Sequence, residues 1–442
     1  MMMFNSILKF TQSKTKFLYE NSLFLQNIDR LIFLSIIFVL LASTCMSSDV
    51  IGFIALITIF LTFVKLLTKP DEIVSVRVFE LWLLAYFMLV IVSLAGSTLF
   101  HLSLKGFFKT FTYMAFYFSM VQYLKNNKSK IPYILGTIGL CVSIEAVVGF
   151  LQNFAHVEEI STWQDVSSLN PEQVMTRVYG TLKPYNPNLL GGYFVAGIPA
   201  LYGLAAYYFT DKKFKVSFIS IICALISTVT LFLTGCRGSY MGMLVIMLGI
   251  FTVSAKYLWR NYKQIYLSIV GVVIAFVTAA LMFVSSLRAR VLSIFAMRQD
   301  SSNSFRFNVY HSSIEMFKDN WLLGIGVGNQ NFREIYGLYM KTGFDALSAY
   351  NIFLEIAVES GIFALIAFVG FLVTLIKNAV QFILKSEDTK NVILVSACAI
   401  SVCAVCVHGM VDTVFFRPQI QFVFWTMVAV LSNLTDKKHI EC

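Results

Sequence analysis

Charge and proline are both scarce in this chain. Of its 442 residues only 13% are charged, and seven are proline. So little charge excludes an ordinary soluble domain, in which about a quarter of the residues are charged. So few prolines exclude a linker-rich or low-complexity protein. A disulfide framework is missing as well, although there are eight cysteines. Cys45, Cys141, Cys223, Cys398, Cys403 and Cys406 fall inside apolar runs, Cys236 sits at an expected helix end, and Cys442 is the last residue. Cys403 and Cys406 form a CxxC without a second pair, which reads as small-residue packing rather than a metal or redox centre. The N-terminus lacks the compact apolar core and small-residue cleavage site of a signal peptide. With Lys9, Lys14, Lys16 and Arg30, residues 1–30 read as a basic amphipathic lead-in on the cytoplasmic surface.

What the chain has is apolar length. Hydrophobic residues make up 58% of it and the mean hydropathy is +0.75. A hydrocarbon core needs about 20 apolar residues of helix. That measure predicts an all-α, polytopic membrane bundle of about 12 spans, with residues 31–442 forming a single domain. The expected spans are 31–47, 50–67, 80–99, 106–124, 132–154, 188–208, 215–235, 239–256, 265–286, 351–377, 391–410 and 419–435. Basic residues test this count independently. With a cytoplasmic N-terminus, each inner segment carries at least two, as in Lys65, Lys69 and Arg77, then Lys125, Lys128 and Lys130, and finally Lys437 and Lys438. The formal net charge of +10 therefore reflects topology, not nucleic acid. Both termini are expected in the cytoplasm of a bacterial inner membrane protein.

Two outer segments are long: 155–187 and 287–350. In the first, Asn186 can cap the sixth span and Pro187 suits its first turn. The second begins with basic and apolar residues interleaved, as in an interfacial helix. Its later part, from Arg306 to Gly361, is the longest polar stretch in the chain, and such an insert points to chemistry or recognition. No internal repeat is visible.

Several residues stand out inside this frame. Arg237, in TGCRGSYMG at an outer turn, must be paired or face a polar cavity, and its planar fork suits a phosphate or pyrophosphate. The alternative is an interfacial anchor reaching for head groups. Arg306 shares a helical face with Tyr310, and His311 is close by. Arg288, Arg290 and Arg298 precede them, where lipid head groups are the competing explanation. The glycines at 324, 326 and 328 lack the strand–turn–helix context of a nucleotide loop and predict a tight turn that returns Asn329 and Phe332 to the membrane. Glu355 and Glu359 follow Tyr350 and Asn351 at i,i+4 spacing, with Arg237 and Arg306 as expected partners or a structural salt-bridge network as the alternative. Glu145 lies mid-span, as a cavity residue or a neutral packing group. His408 and Asp412, spaced i,i+4, are expected to hydrogen-bond each other.

Taken together, TGCRGSYMG, the Arg306 segment through DNWLLGIGVGNQNF and YNIFLEIAVESGIFAL resemble the O-antigen ligase/O-antigen polymerase superfamily. Within it, TRVYGTLKPYNPNLLGGYF, LSAYNIFLEIAVESG and MVDTVFFRPQIQFVFW look most like the branch labelled inorganic carbon (bicarbonate) transporters. The resemblance implies glycosyl transfer without metal or cofactor at the outer membrane face. An undecaprenyl-pyrophosphate-linked glycan would be the donor, and a glycan or glycolipid hydroxyl the acceptor. Arg237 and Arg306 match the family's arginines and would stabilise the leaving pyrophosphate. Arg177, Asn188, Asn351, Arg288, Arg290 and Asn329 are the substrate-binding candidates.

One departure matters. The ligase pattern expects a His where this chain has Tyr350, and an unperturbed phenol is a poor base near neutrality. Either His311, Glu355 or Glu359 takes the acceptor proton, or Tyr350 only positions the acceptor, or the protein does different work. The competing expectation is an inorganic-carbon or small-anion transporter. Transporters place substrate near the midplane on discontinuous helices, whereas here the polar residues gather at one face.

Overall fold

The structure is a computed structural model and describes residues 2–74, 76–155, 177–296 and 301–435. Among them every long regular element is an α-helix. In chain order these are α1 (Met2–Asn21), α2 (Leu23–Gln26), α3 (Ile28–Cys45), α4 (Ser48–Thr68), α5 (Val78–Gly96) and α6 (Phe100–Asn126). Then come α7 (Ile131–Gln152), α8 (Pro187–Thr210), α9 (Phe214–Leu233), α10 (Arg237–Leu258), α11 (Lys263–Phe283) and α12 (Ser285–Leu292). The last five are α13 (Ser301–Asp319), α14 (Asn329–Tyr336), α15 (Ile352–Lys385), α16 (Thr389–His408) and α17 (Pro418–Leu434).

Each of the twelve expected spans falls on a helix, and ten of these are long and apolar enough to cross a membrane. The other two are α6 and α17. α6 carries Lys105, Lys109 and several tyrosines along its length. α17 is only 17 residues long, about 25 Å of helix. All of its residues are buried, so it packs as the central rod of the bundle and need not match the lipid thickness. α11 is the opposite case, with no buried residue at all. The chain is a multi-pass membrane protein.

The segments before α8, α10, α15 and α17 meet at one end of the bundle, where Asn188 bonds Asp412, Cys236 meets His408, and the Ile352 amide donates to the Gly409 carbonyl. The N-terminal lead-in closes the other end. It is helical, as α1, and it packs on α4: buried Gln12 donates to the Leu66 and Glu72 carbonyls at 2.9 Å each. Beneath it Lys65, only 1% exposed, sits 2.9 Å from Asp29 and 3.1 Å from Glu72. A buried ammonium between two carboxylates is tolerated because each charge is matched.

α15 is discontinuous. Gly361 lies inside it at φ 82°, a conformation essentially reserved for glycine. The break leaves backbone groups without helical partners, and a glycine-rich loop supplies them. The Ile325 and Gly326 amides donate to the carbonyls of Val358 (3.0 Å) and Glu359 (2.9 Å), and the Ile362 amide donates to the Trp321 carbonyl (2.9 Å). Gly324, Gly326 and Gly328 all have positive φ, and at Gly324 a Cβ would collide with the Glu359 backbone. The loop is a backbone splice for a broken membrane helix.

Candidate functional site

Gly235, at φ 62°, reverses the chain after α9, Cys236 caps α10, and Arg237 is the first residue of that helix. The side chain of Arg237 is 9% exposed and donates to Ser293, at 3.1 Å to Oγ and 3.3 Å to the carbonyl. It faces a cavity of about 210 Å³. α13 also lines it, contributing Asn303, Arg306 and Tyr310. Met241, Ile294, Phe307 and Val411 complete an otherwise apolar lining. A guanidinium in such surroundings interacts with an anion far more strongly than it does in water.

Arg306 is held on one side only. Its Nη1 donates to Ser302 Oγ at 3.0 Å, and its Nη2 lies 3.9 Å from Asp412 Oδ2. Its buried Nε has no hydrogen-bond partner among the described residues. A buried charged donor left open is costly unless a ligand takes it.

Behind the cavity a polar relay links distant parts of the chain. Arg177 Nη2 donates to Asn188 Oδ1 at 2.5 Å, and Asn188 Nδ2 donates to Asp412 Oδ2 at 3.0 Å. Arg177 Nε donates to the Thr234 carbonyl, and Arg290 Nε to that of Gly235, both at 2.8 Å. Two arginines therefore secure the turn that presents Arg237. Burial pushes the Arg177 guanidinium down to about 10, with Arg290 adding to the effect, and it stays a cation at neutral pH. Its loop is anchored by Gln152 Oε1, which accepts the Tyr179 and Gly180 amides at 3.1 and 2.9 Å. Glu145 accepts the Thr181 amide at 2.8 Å and also the Thr181 hydroxyl, so it holds this loop. Asn186 caps α8 through the Asn188 amide at 2.7 Å.

Tyr350 stands next to this group at φ 53°. Its carbonyl accepts the Tyr310 hydroxyl at 3.3 Å, and its ring packs edge-on against Phe305. Burial pushes its phenol above the ordinary value, Asp412 pushes the same way, and Arg306 opposes them. It is a neutral side chain throughout the physiological range.

Other candidates lie elsewhere. Glu355 and Glu359 do not pair with Arg237 or Arg306: Glu359 Oε1 accepts the Gly328 amide at 2.8 Å, and buried Glu355 Oε2 has no hydrogen bond among the described residues. Both belong to the broken helix. His311 is exposed on α13, where it neighbours Glu315 instead of the cavity. Asn329 is exposed too, and it is Asn331 that staples the glycine loop, donating to the Ile325 and Gly326 carbonyls at 3.0 and 2.7 Å. Phe332 does return to the interior, fully buried. Asn351 caps α15, its Oδ1 accepting the Phe353 and Leu354 amides at 2.9 and 3.1 Å. Arg288 is exposed and donates to the Met282 carbonyl at 3.3 Å. His408 does not bond Asp412; its partner is Cys236, with Sγ to Nε2 at 3.7 Å. Arg298, Lys437, Lys438 and residues 156–176 of the first long outer segment lie outside the described residues.

The sequence did not single out Ser293 and Asn303 as part of the cavity. Nothing local marks a serine or asparagine as an arginine's partner. Asp412 carried a signal: it precedes a short 3-10 turn, whose Thr413 and Val414 amides its Oδ1 accepts at 2.8 and 3.2 Å.

No curated protein matches the sequence. Residues 222–369 match the family model described as O-antigen ligase, a stretch that contains Arg237, Arg306, Tyr310 and Tyr350. Of the three stretches that resemble inorganic-carbon transporters, only LSAYNIFLEIAVESG lies within the match, which is to the ligase family. The chain is thus a multi-pass membrane protein whose residues 222–369 match the O-antigen ligase family model.

Proposed function

We propose that this protein transfers a glycan from an undecaprenyl-pyrophosphate carrier to a sugar hydroxyl at the periplasmic face of the bacterial inner membrane. The observation that carries this reading is the largely apolar cavity lined by both Arg237 and Arg306, the latter with an open Nε donor. In the transfer, the acceptor oxygen bonds to the anomeric carbon, the bond from that carbon to the pyrophosphate breaks, and the acceptor's hydroxyl proton passes to the departing pyrophosphate. The electron pair leaves with the pyrophosphate. Two fixed cations are worth most at that moment, because negative charge grows on the leaving oxygen and the surroundings screen it poorly. Asp412, Ser293 and Ser302 hold the guanidinium groups in place before substrate arrives. Tyr310 and Asn303 offer hydrogen bonds to a sugar or phosphate. Tyr350 is a positioning residue in this scheme, since a neutral phenol with a raised pKa takes no proton at pH 7.

Carrier-linked and surface glycans from a deletion strain complemented with each variant test this. Arg237→Ala and Arg306→Ala are expected to leave surface glycan absent and carrier-linked glycan accumulated, at normal protein levels. Full surface glycan in both variants would sink the proposal. One observation favours transport of a small anion instead: α15 is discontinuous, with two carboxylates buried at its break, as in many transporters. Against it, the freed backbone groups are taken by the glycine loop. Bicarbonate flux into proteoliposomes above that of empty vesicles would favour the second reading.

A further inference from the structure

Cys236 comes from the start of α10, His408 and Asp412 from the end of α16 and the turn after it, and all three are buried, each at 2% exposure. One ligand atom from each lies within 4.8 Å of the others. We propose that these residues form a zinc-class metal site that clasps the start of α10 to the end of α16, directly behind Arg237. The proposal is independent of the transfer reaction.

The donor set is one thiol, one imidazole and one carboxylate, the mixture that suits zinc. Bond lengths of about 2.3 Å to sulfur and 2.0 Å to nitrogen place tetrahedral S and N ligands roughly 3.5 Å apart. Cys236 Sγ and His408 Nε2 are already 3.7 Å apart. The imidazole is fixed by close approach of three helices, since a Cβ on Gly238 would lie 2.5 Å from its Cδ2 and one on Gly192 would lie 2.9 Å from its Cε1. Asp412 has the support expected around a ligating carboxylate. Its Oδ1 accepts two backbone amides, and its Oδ2 accepts Asn188. A carboxylate has about four acceptor positions, and Arg306, at 3.9 Å, is too far to fill the last with a hydrogen bond. Binding releases the thiol proton to solvent. A thiolate and a carboxylate then cancel the charge of the dication, so the loaded site is neutral beside the arginines.

The test uses the full chain purified in detergent, loaded with zinc, passed through a desalting column and measured by elemental analysis. The wild type is expected to retain about one zinc per chain, and Cys236→Ser and His408→Gln to lose it. Loading with cobalt adds a second readout, a thiolate-to-cobalt absorption band present in the wild type and absent in Cys236→Ser. Zinc-free wild type after loading would overturn the proposal even if neither variant folds. Zinc retained in both variants, or a cobalt spectrum without the thiolate band, would overturn it too. In those cases Cys236 and His408 form a hydrogen bond and nothing more.

Discussion

At the scale of single residues, the account turns on which side chains can carry charge into an apolar cavity. Arg237 was legible in the sequence because a guanidinium between apolar spans has few places to go. Its partner Ser293 was not legible, and neither was the bond from Asn188 to Asp412, which joins residues 224 positions apart. Contacts of that kind leave no periodic trace. Tyr350 gives the sharpest residue-level prediction. Because burial holds its phenol above the ordinary value of about 10, it stays protonated, and its hydroxyl does not titrate, through pH 9. Transfer rates of Tyr350→Phe are therefore expected to fall less than about tenfold, with a pH profile between 6 and 9 parallel to that of the wild type. A profile that loses one limb in the variant would make Tyr350 the base after all.

At the scale of elements, the glycine loop and the break in α15 explain each other. The sequence marked Gly324, Gly326 and Gly328 as a turn, correctly excluding a nucleotide loop, but showed nothing unusual at Gly361. A lone glycine in a membrane helix reads as packing, and only the loop amides that fill the break reveal the discontinuity. Gly361→Ala forces a side chain into a glycine-only conformation and into the Leu322 backbone, so it should cost at least about 1–3 kcal/mol. Thermal unfolding in detergent measures this, and an unchanged midpoint would contradict the splice. Asn351 offers a milder comparison. As the N-cap of α15, it should lose about 1 kcal/mol on replacement by Ala and little on replacement by Asp or Ser. If Asp or Ser restores stability but not transfer, the side-chain nitrogen of Asn351 has a role with substrate in addition to its cap.

At the scale of the whole molecule, the apolar runs place each of the twelve expected spans on a helix. They do so because lipid imposes length and charge rules on each segment separately. What they could not place is depth within the bundle. α17 is wholly buried and α11 has no buried residue, yet both read as ordinary spans. The alternation of basic residues predicts sidedness. A cysteine at Leu338, which is 83% exposed, should react with a membrane-impermeant maleimide on intact spheroplasts, and one at Lys212 should react only after lysis. The reverse pattern would put the arginine cavity on the cytoplasmic side and remove the periplasmic reaction. The central claim is that Arg237 and Arg306 activate a pyrophosphate leaving group, and purified protein in lipid nanodiscs tests it most directly. The measurement is the rate of glycan transfer from a carrier-pyrophosphate donor to an added acceptor. The account predicts transfer by the wild type and a loss of about 10²–10³-fold in Arg237→Ala and in Arg306→Ala; wild-type rates in either variant would contradict it.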